Sequence, residues 1–303
     1  MDMQFLEETK MLNYQSVGIQ KLINEKRWGE LSEYEKIKAI YGFVQNEIPL
    51  GYNRNDTLTA EQVLMDEYGQ CNTKATLLMA LLRGVNIPCR IHGFEVSKDF
   101  QHGATTGIIA ALAPDKIVHT WAEVYYKGQW LALEGVITDN QYLEAVKAKY
   151  SHVQGEFMKF AIATKDFQKI SVDWNENNTY IQSAAIVSDL GVFPNPDKFF
   201  EHYTQHWCKM KGFMYVHFGR KIMNYNVGKM RKSHIKSMDR IHCPVCGNKT
   251  RLQNPLTYLL IKFLNMGGTN IHKENAGGKR NDFIYSVCGV LFAFYISNST
   301  GTI

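Results

Sequence analysis

The sequence predicts an α+β fold, and three observations carry that prediction. Up to Arg83 the apolar residues recur at helical spacing behind two capping signatures. From Cys89 to Glu134 they alternate as strand residues do. The last two of these strands are joined by Lys127-Gly128 alone, the length of a tight hairpin turn, so at least part of the sheet is antiparallel. The length of 303 residues suits about two ordinary domains, or one large domain with an appendage. With 45% hydrophobic and 21% charged residues, a disordered, collagen-like or disulfide-stapled chain is excluded.

Ser32-Glu33-Tyr34-Glu35 is a capping box, and Ile37, Ile40, Tyr41 and Val44 follow at helical spacing, so a helix is expected over about 33–45. IPLGYNRND then reads as a loop. Thr59-Ala60-Glu61-Gln62 is a second capping box, opening a short helix that ends near Tyr68-Gly69. A third helix begins at Cys71, where Ala75, Leu77, Leu78, Leu81 and Leu82 form a wide stripe, and Gly84 with Pro88 beyond it stops the helix. Strands are expected over 89–96, 118–126 and 130–134. With Lys127-Gly128 as the loop, Tyr126 faces Gln129, Trp121 faces Glu134, and His119 lies diagonal to Glu134 on the same face, about 7 Å away at the backbone. The glycine- and alanine-rich insertion DFQHGATTGIIAALAPDK, between the first strand and the hairpin, is expected to cover a cleft.

Beyond the hairpin the signals are mixed. SVDWNENN and FPNPD read as turns, and 198–231 is rich in aromatics, Met and basic residues at roughly helical spacing, so 151–232 is expected to be a helical extension packed on a first domain of residues 1–150. After about Ser233, half of a zinc-ribbon pattern is followed by a Gly- and Asn-rich stretch and an apolar run, which suggests a degenerate tail over 233–303 with little order of its own. No internal repeat is present.

The formal net charge of +5 is too small over this length to suggest a nucleic-acid binder. Between Glu201 and Arg240, however, nine Lys or Arg stand against two acids. That basic stretch is expected to be the solvated side of helices. The six cysteines are scattered, which argues against a disulfide framework and for a reducing compartment. MDMQFLEETK lacks the basic start and apolar run of a secretion signal, so a cytoplasmic location is expected. The longest apolar run, about 283–296, is shorter than the roughly twenty residues that span a bilayer, and no membrane partner is expected.

A cysteine in the first turn of a helix is chemically distinctive, because the unpaired amides and the dipole there favour thiolate over thiol. Cys71 occupies that position. A thiolate nucleophile needs an imidazole to hold charge and protonate the leaving group, and the imidazole needs an acceptor on its other nitrogen. His119 and Glu134 fit these roles. The Cys71 backbone amide is the natural first donor to an oxyanion, while nothing in the sequence locates a second.

These residues carry a family resemblance. YGQCNTKATLLMALLRGVNIPCR, ending at Arg90, followed by HTWAEVYYKGQWLALE from His119 to Glu134, resembles the core of the transglutaminase-like superfamily. The resemblance covers roughly residues 36–138. It implies a papain-type α+β core with Cys71 as nucleophile, His119 as general base and acid, and Glu134 as the orienting acid. It also implies acyl transfer from a peptide or protein amide through a thioester, with hydrolysis favoured over transfer to an amine. The family usually has Asp followed by Pro where this chain has Glu134-Gly135, so the acid here has a longer reach. No cofactor is implied, and no acidic loop follows a calcium-ligand pattern.

Other chemistry-bearing residues read more plainly. Trp121 and Trp130 are expected in the core and cleft wall, Cys89 as a buried apolar residue, and His92 and His102 without convincing partners. Cys243-Pro244-Val245-Cys246 is half of a zinc knuckle, and the run to Arg251 resembles the opening of the small cysteine-rich KTR proteins. A structural zinc site needs four ligands. The second Cys-x-x-Cys is missing, Cys288 stands alone, and nothing in the spacing of His234 or His242 demands a site, so zinc at Cys243 and Cys246 is not expected. The leading reading is therefore a transglutaminase-like thiol enzyme. The alternative is an inactive scaffold of the same fold that binds a peptide or protein. A zinc-dependent nucleic-acid module rests only on the Cys pair and the local charge.

Overall fold

The computed structural model describes residues 2–105, 113–205, 212 and 214–238, and beyond these only strand segments between 240 and 294. Contacts divide the chain into two compact units, Met1–Ile235 and Lys236–Ile303.

The first unit opens with four helices: α1 (Val17–Glu25), α2 (Glu33–Asn46), α3 (Ala60–Asp66) and α4 (Cys71–Gly84). The first was not legible in the sequence. α2 begins as its capping box requires, with the Ser32 hydroxyl accepting the Glu35 amide and the Glu35 carboxylate accepting the Ser32 amide at 3.0 Å. Its stripe of Ile37, Ile40, Tyr41 and Val44 is wholly buried. α3 stops earlier than Tyr68-Gly69, because Glu67 turns left-handed at φ 57°. α4 is the central helix. Every residue from Asn72 to Arg83 is buried, and α1, α2, α3 and two strands pack around it. Gly84 ends it where a Cβ would come within 2.6 Å of Ile23 Cδ1, so the turn is glycine for lack of space.

Beside α4 lies a four-stranded antiparallel sheet formed by β1 (Cys89–Ser97), β2 (Lys116–Tyr126), β3 (Gln129–Ala132) and a late strand, β6 (Ile186–Phe193). Their order is β3-β2-β1-β6. Lys127 and Gly128 both have positive φ, 48° and 85°, as a two-residue type I′ turn requires, and Tyr126 faces Gln129 as the turn length predicts. The ladder then ends sooner than expected. Glu123 pairs with Ala132, but the Glu134 amide turns away to bond the Thr179 carbonyl at 3.1 Å, and Glu134–Ile137 becomes a 3₁₀ turn. Trp121 therefore does not pair with Glu134.

The expected helical extension is only partly helical. After α5 (Asn140–Lys149) come the small antiparallel pair β4 (Phe157–Lys159) and β5 (Ile162–Thr164), several 3₁₀ turns, and β6. The physical reason is the free edge of β1, whose backbone groups need partners. β6 supplies them, with register shifts at Gly93/Phe94 and Glu95/Val96. Helices resume only with α6 (Pro196–His202) and α7 (Arg220–Met238), the latter preceded by a π-helical turn, Tyr215–Gly219. Phe199 of α6 lies so close over Gly93 that any Cβ there would overlap its ring.

In the second unit, β7 (Arg240–His242) pairs with β8 (Lys249–Arg251), and β9 (His272–Asn275), β10 (Phe283–Val287) and β11 (Val290–Phe294) form an antiparallel sheet ordered β11-β10-β9. The apolar run near the end of the sequence thus folds back on itself as β10 and β11. Cys243, Cys246 and Cys288, and the side chains of His234 and His242, lie outside the described residues. Among the described residues, no helix is long and apolar enough to cross a membrane.

Candidate active site

Cys71 is the first residue of α4, where backbone amides have no acceptor within the helix. The preceding loop is held on both sides. The Gly51 amide donates to the Gly69 carbonyl at 3.0 Å, the Gly69 amide to the Pro49 carbonyl at 3.1 Å, and the Asn53 amide to Gln70 Oε1 at 3.1 Å. The Gln70 amide in turn donates to Thr73 Oγ1 at 3.0 Å, which fixes the residue before the nucleophile on the helix it opens.

His119, on β2, is fully buried. Its Nε2 lies 2.9 Å from Glu134 Oε1, and the other carboxylate oxygen accepts the Ile181 amide at 2.9 Å. The sequence thus identified the partner, although the contact is made from a 3₁₀ turn and not across a ladder. The next residue has no space for a side chain: a Cβ on Gly135 would come within 2.6 Å of the Tyr41 hydroxyl and 2.8 Å of Thr179 Cβ. Gly135 also donates its amide to Thr179 Oγ1 at 3.1 Å.

The second ring nitrogen, Nδ1, has no hydrogen-bond partner among the described residues. Burial alone would lower the pKa of His119, but Cys71 and then Glu134 outweigh it and push it up to about 10. The protonated ring is thereby favoured, with its Nε2 on the Glu134 carboxylate. The three residues singled out by sequence are brought together.

A residue that the sequence did not flag sets their spacing. Asn72 donates to the Val118 carbonyl at 3.1 Å and accepts from Thr120 Oγ1 at 3.0 Å, so it clasps the residues on either side of His119. It also lies 3.5 Å from the Cys71 sulfur. The signal available in the sequence was the run Asn72, Thr73, Lys74 and Thr76 in a helix too apolar to face solvent. Lys74 is fully buried, and its ammonium donates to the carbonyls of Gln45 and Ile137, each at 3.2 Å. Burial lowers its pKa to about 7 despite the nearby Asp139.

Cys71 opens onto a cleft of about 360 Å³. One wall comes from the loop carrying Tyr52, Arg54 and Asp56, and another from Gln101, Thr105, Ala113 and Pro114 of the glycine-rich insertion. The remainder of that insertion, 106–112, lies outside the described residues. The cleft is closed by Phe200, Gln205, Tyr215 and Met223, residues for which the sequence offered no motif. Asp56 is enclosed there, its carboxyl held above the usual carboxylate range by burial while Gln70 Nε2 donates to it at 2.7 Å.

His92 requires a correction, since it does have partners: Glu123 Oε1 at 2.9 Å and Asp189 Oδ1 at 3.0 Å. Asp189 comes from β6, a strand the sequence left unassigned. His102 borders the insertion and contributes its carbonyl to the Phe160 amide at 2.8 Å. Trp121 is buried against Phe94, whereas Trp130 is partly exposed with the Arg90 guanidinium 4.2 Å over its ring. Cys89 is fully buried, as expected. Among the described residues, no group of three or more His, Cys, Asp or Glu could hold a metal ion.

Residues 20–135 match the family model of the transglutaminase-like superfamily. Among solved structures, a candidate cysteine protease from Cytophaga hutchinsonii aligns at 17% identity and a TM-score of 0.36. That alignment covers 64% of this chain and 47% of the other, so the chain spans about half the length of that protein. No curated protein matches the chain.

Proposed function

We propose that this chain, whose residues 20–135 form a transglutaminase-like domain, is a cysteine-dependent enzyme that cleaves a peptide or protein amide through a thioester on Cys71. The observation that supports this most directly is the buried His119 ring, bonded to Glu134 through Nε2, unpartnered at Nδ1 among the described residues, and near enough to Cys71 for that residue to raise its pKa.

In this reading the Cys71 thiolate attacks the amide carbon, the C–S bond forms, and the carbonyl π pair moves onto oxygen. The Cys71 backbone amide donates one hydrogen bond to that oxyanion. As the intermediate collapses, the C–N bond breaks and the leaving nitrogen takes the proton from His119 Nδ1, the ring nitrogen not engaged by Glu134. Glu134 holds the ring through this transfer and offsets the charge of the imidazolium. The neutral imidazole then accepts a proton from the water that attacks the thioester, the C–S bond breaks, and the acid leaves with the Cys71 thiolate and the imidazolium restored. Hydrolysis is favoured because water is the nucleophile at hand in a cleft open to solvent. The mechanism itself would equally accept an amine.

The test is capture of the acyl-enzyme. Native protein and Cys71→Ala, incubated with a library of peptide amides and quenched in acid, are compared by intact mass. The native chain is expected to gain the mass of an acyl fragment on the Cys71 peptide, while the variant gains none and melts within a few degrees of native. Turnover that survives in Cys71→Ala would refute the assignment.

A further inference from the structure

We infer that the Tyr52 phenol is the second oxyanion donor, completing with the Cys71 amide the pair of hydrogen bonds that the tetrahedral intermediate needs. The inference deepens the function proposed above and rests on it. Tyr52 lines the same cleft as Cys71 and is only 5% exposed. Its two chain neighbours are bonded to the two residues that precede the nucleophile, Gly51 to Gly69 and Asn53 to Gln70. The Tyr52 backbone is therefore laid directly alongside the start of α4.

The residue is also clamped from the opposite side. Asn224 of α7 accepts the Tyr52 amide at 2.6 Å and donates to the Tyr52 carbonyl at 3.2 Å, using both ends of its own amide. With the main chain fixed at three successive residues, the residue is held in the cleft wall beside the start of α4. Among the described residues its hydroxyl makes no hydrogen bond. The hydroxyl is not among the side-chain atoms sealed off without a partner, and the residue lines the cleft, so the O–H is open to donate to a group bound there. Burial, and then the charge of Cys71, raise its pKa, which keeps the hydroxyl a donor. Neighbouring Tyr215 differs, because its hydroxyl already donates to the Asn53 carbonyl at 3.3 Å.

A donor of this kind acts when the carbonyl π pair moves to oxygen. The O–H hydrogen bond strengthens as charge develops and relaxes when the C–N bond breaks, with no proton leaving Tyr52. It should therefore matter for attack on a carbonyl and not for attack on a saturated carbon. Iodoacetamide alkylates a thiolate without forming an oxyanion, whereas p-nitrophenyl acetate acylates it through one.

The experiment compares native protein with Tyr52→Phe, measuring both rates at Cys71 by peptide mass spectrometry. The expected result is alkylation within about twofold of native and acylation slower by on the order of 10²-fold, the usual cost of losing one oxyanion donor. Acylation unchanged would overturn the assignment, and so would a proportional fall in both rates, which would place the phenol's effect on the thiolate itself. If native Cys71 reacts with neither reagent faster than a free thiol, the thiol-enzyme reading fails before Tyr52 is tested.

Discussion

His119 carries the charge logic of the site. Its burial favours the neutral ring, and two anions favour the cation, of which Cys71 contributes the larger part. The sign of each substitution follows. Protonation is retained until pH rises through about 10 in the native protein. Glu134→Gln removes the smaller of the two influences and should move the transition to lower pH, while Cys71→Ala removes the larger one, leaves burial to dominate, and should move it further. Ring carbon NMR shifts of His-labelled protein, followed from pH 5 to 10.5, would check both shifts and their order. A ring that titrates near the ordinary imidazole value in all three proteins would mean that no ion pair is assembled. Asn72 belongs to the same account. It adds no charge, but its bonds on either side of His119 set the distance across which thiolate and imidazolium attract.

At the scale of elements, α4 is both core and platform. Its apolar stripe was plain in the sequence, and so was its end at Gly84. The polar residues at its start were not interpretable there, because their partners come from elsewhere. Lys74 shows why. It joins α4 to the last turn of α2 at Gln45 and to the 3₁₀ turn that begins at Glu134, through the carbonyl of Ile137. Between pH 7 and 10.5 the unfolded lysine binds a proton that the folded one does not, so this group makes stability rise with pH across that window. Lys74→Met lacks the dependence. Urea unfolding at pH 6, 8 and 9.5 should therefore show native protein gaining on the variant as pH increases, and a constant difference would refute the buried, proton-shedding amine. The β2–β3 hairpin illustrates a different limit. Turn length determined its register, but a ladder lasts only while the partner strand stays alongside, and the bridge from Leu133 to Thr179 draws the chain away before Glu134.

Across the first unit as a whole, the residues after the hairpin prove to be part of the site. Segment 179–181 orients Glu134, β6 closes the sheet and provides Asp189 to His92, and α7 reaches back to the loop that carries Tyr52. Arg231 of α7 holds this together. It pairs with Asp139, with one nitrogen 3.0 Å from Oδ1, and donates to the Leu50 carbonyl at 3.0 Å, while Asp139 caps α5 and accepts the Leu50 amide at 3.1 Å. Asp139 is 3% exposed, so removing its cation leaves a buried carboxylate without a counter-charge. Arg231→Met is expected to cost about 3 kcal/mol in denaturant unfolding, with part of it recovered in Arg231→Met combined with Asp139→Asn. A double-variant loss equal to the sum of the losses in Arg231→Met and Asp139→Asn alone would show that the two side chains act independently. The basic stretch that includes α7 is accordingly mixed in use: Lys221 and Lys229 are exposed, whereas Arg231 is a structural tie.

The sequence by itself determined the helices α2, α3 and α4, the three strands of the core, the hairpin turn, and the identities of Cys71, His119 and Glu134. These depend on local signals: capping boxes, periodicity, a two-residue turn, and the chemistry of a cysteine at a helix start. Tertiary structure alone decided which residues surround those three, among them Asn72 and Thr179, which residue clamps the Tyr52 loop, Asn224, and the strand β6 where helix was expected. The reason is physical. A local signal states what a residue demands of its immediate backbone, whereas an orphan sheet edge, an unpaired carboxylate oxygen or a buried ammonium can be satisfied by any suitable group the chain brings near. Which group arrives is settled by packing over separations such as the 172 residues between Tyr52 and Asn224, where sequence spacing carries no information.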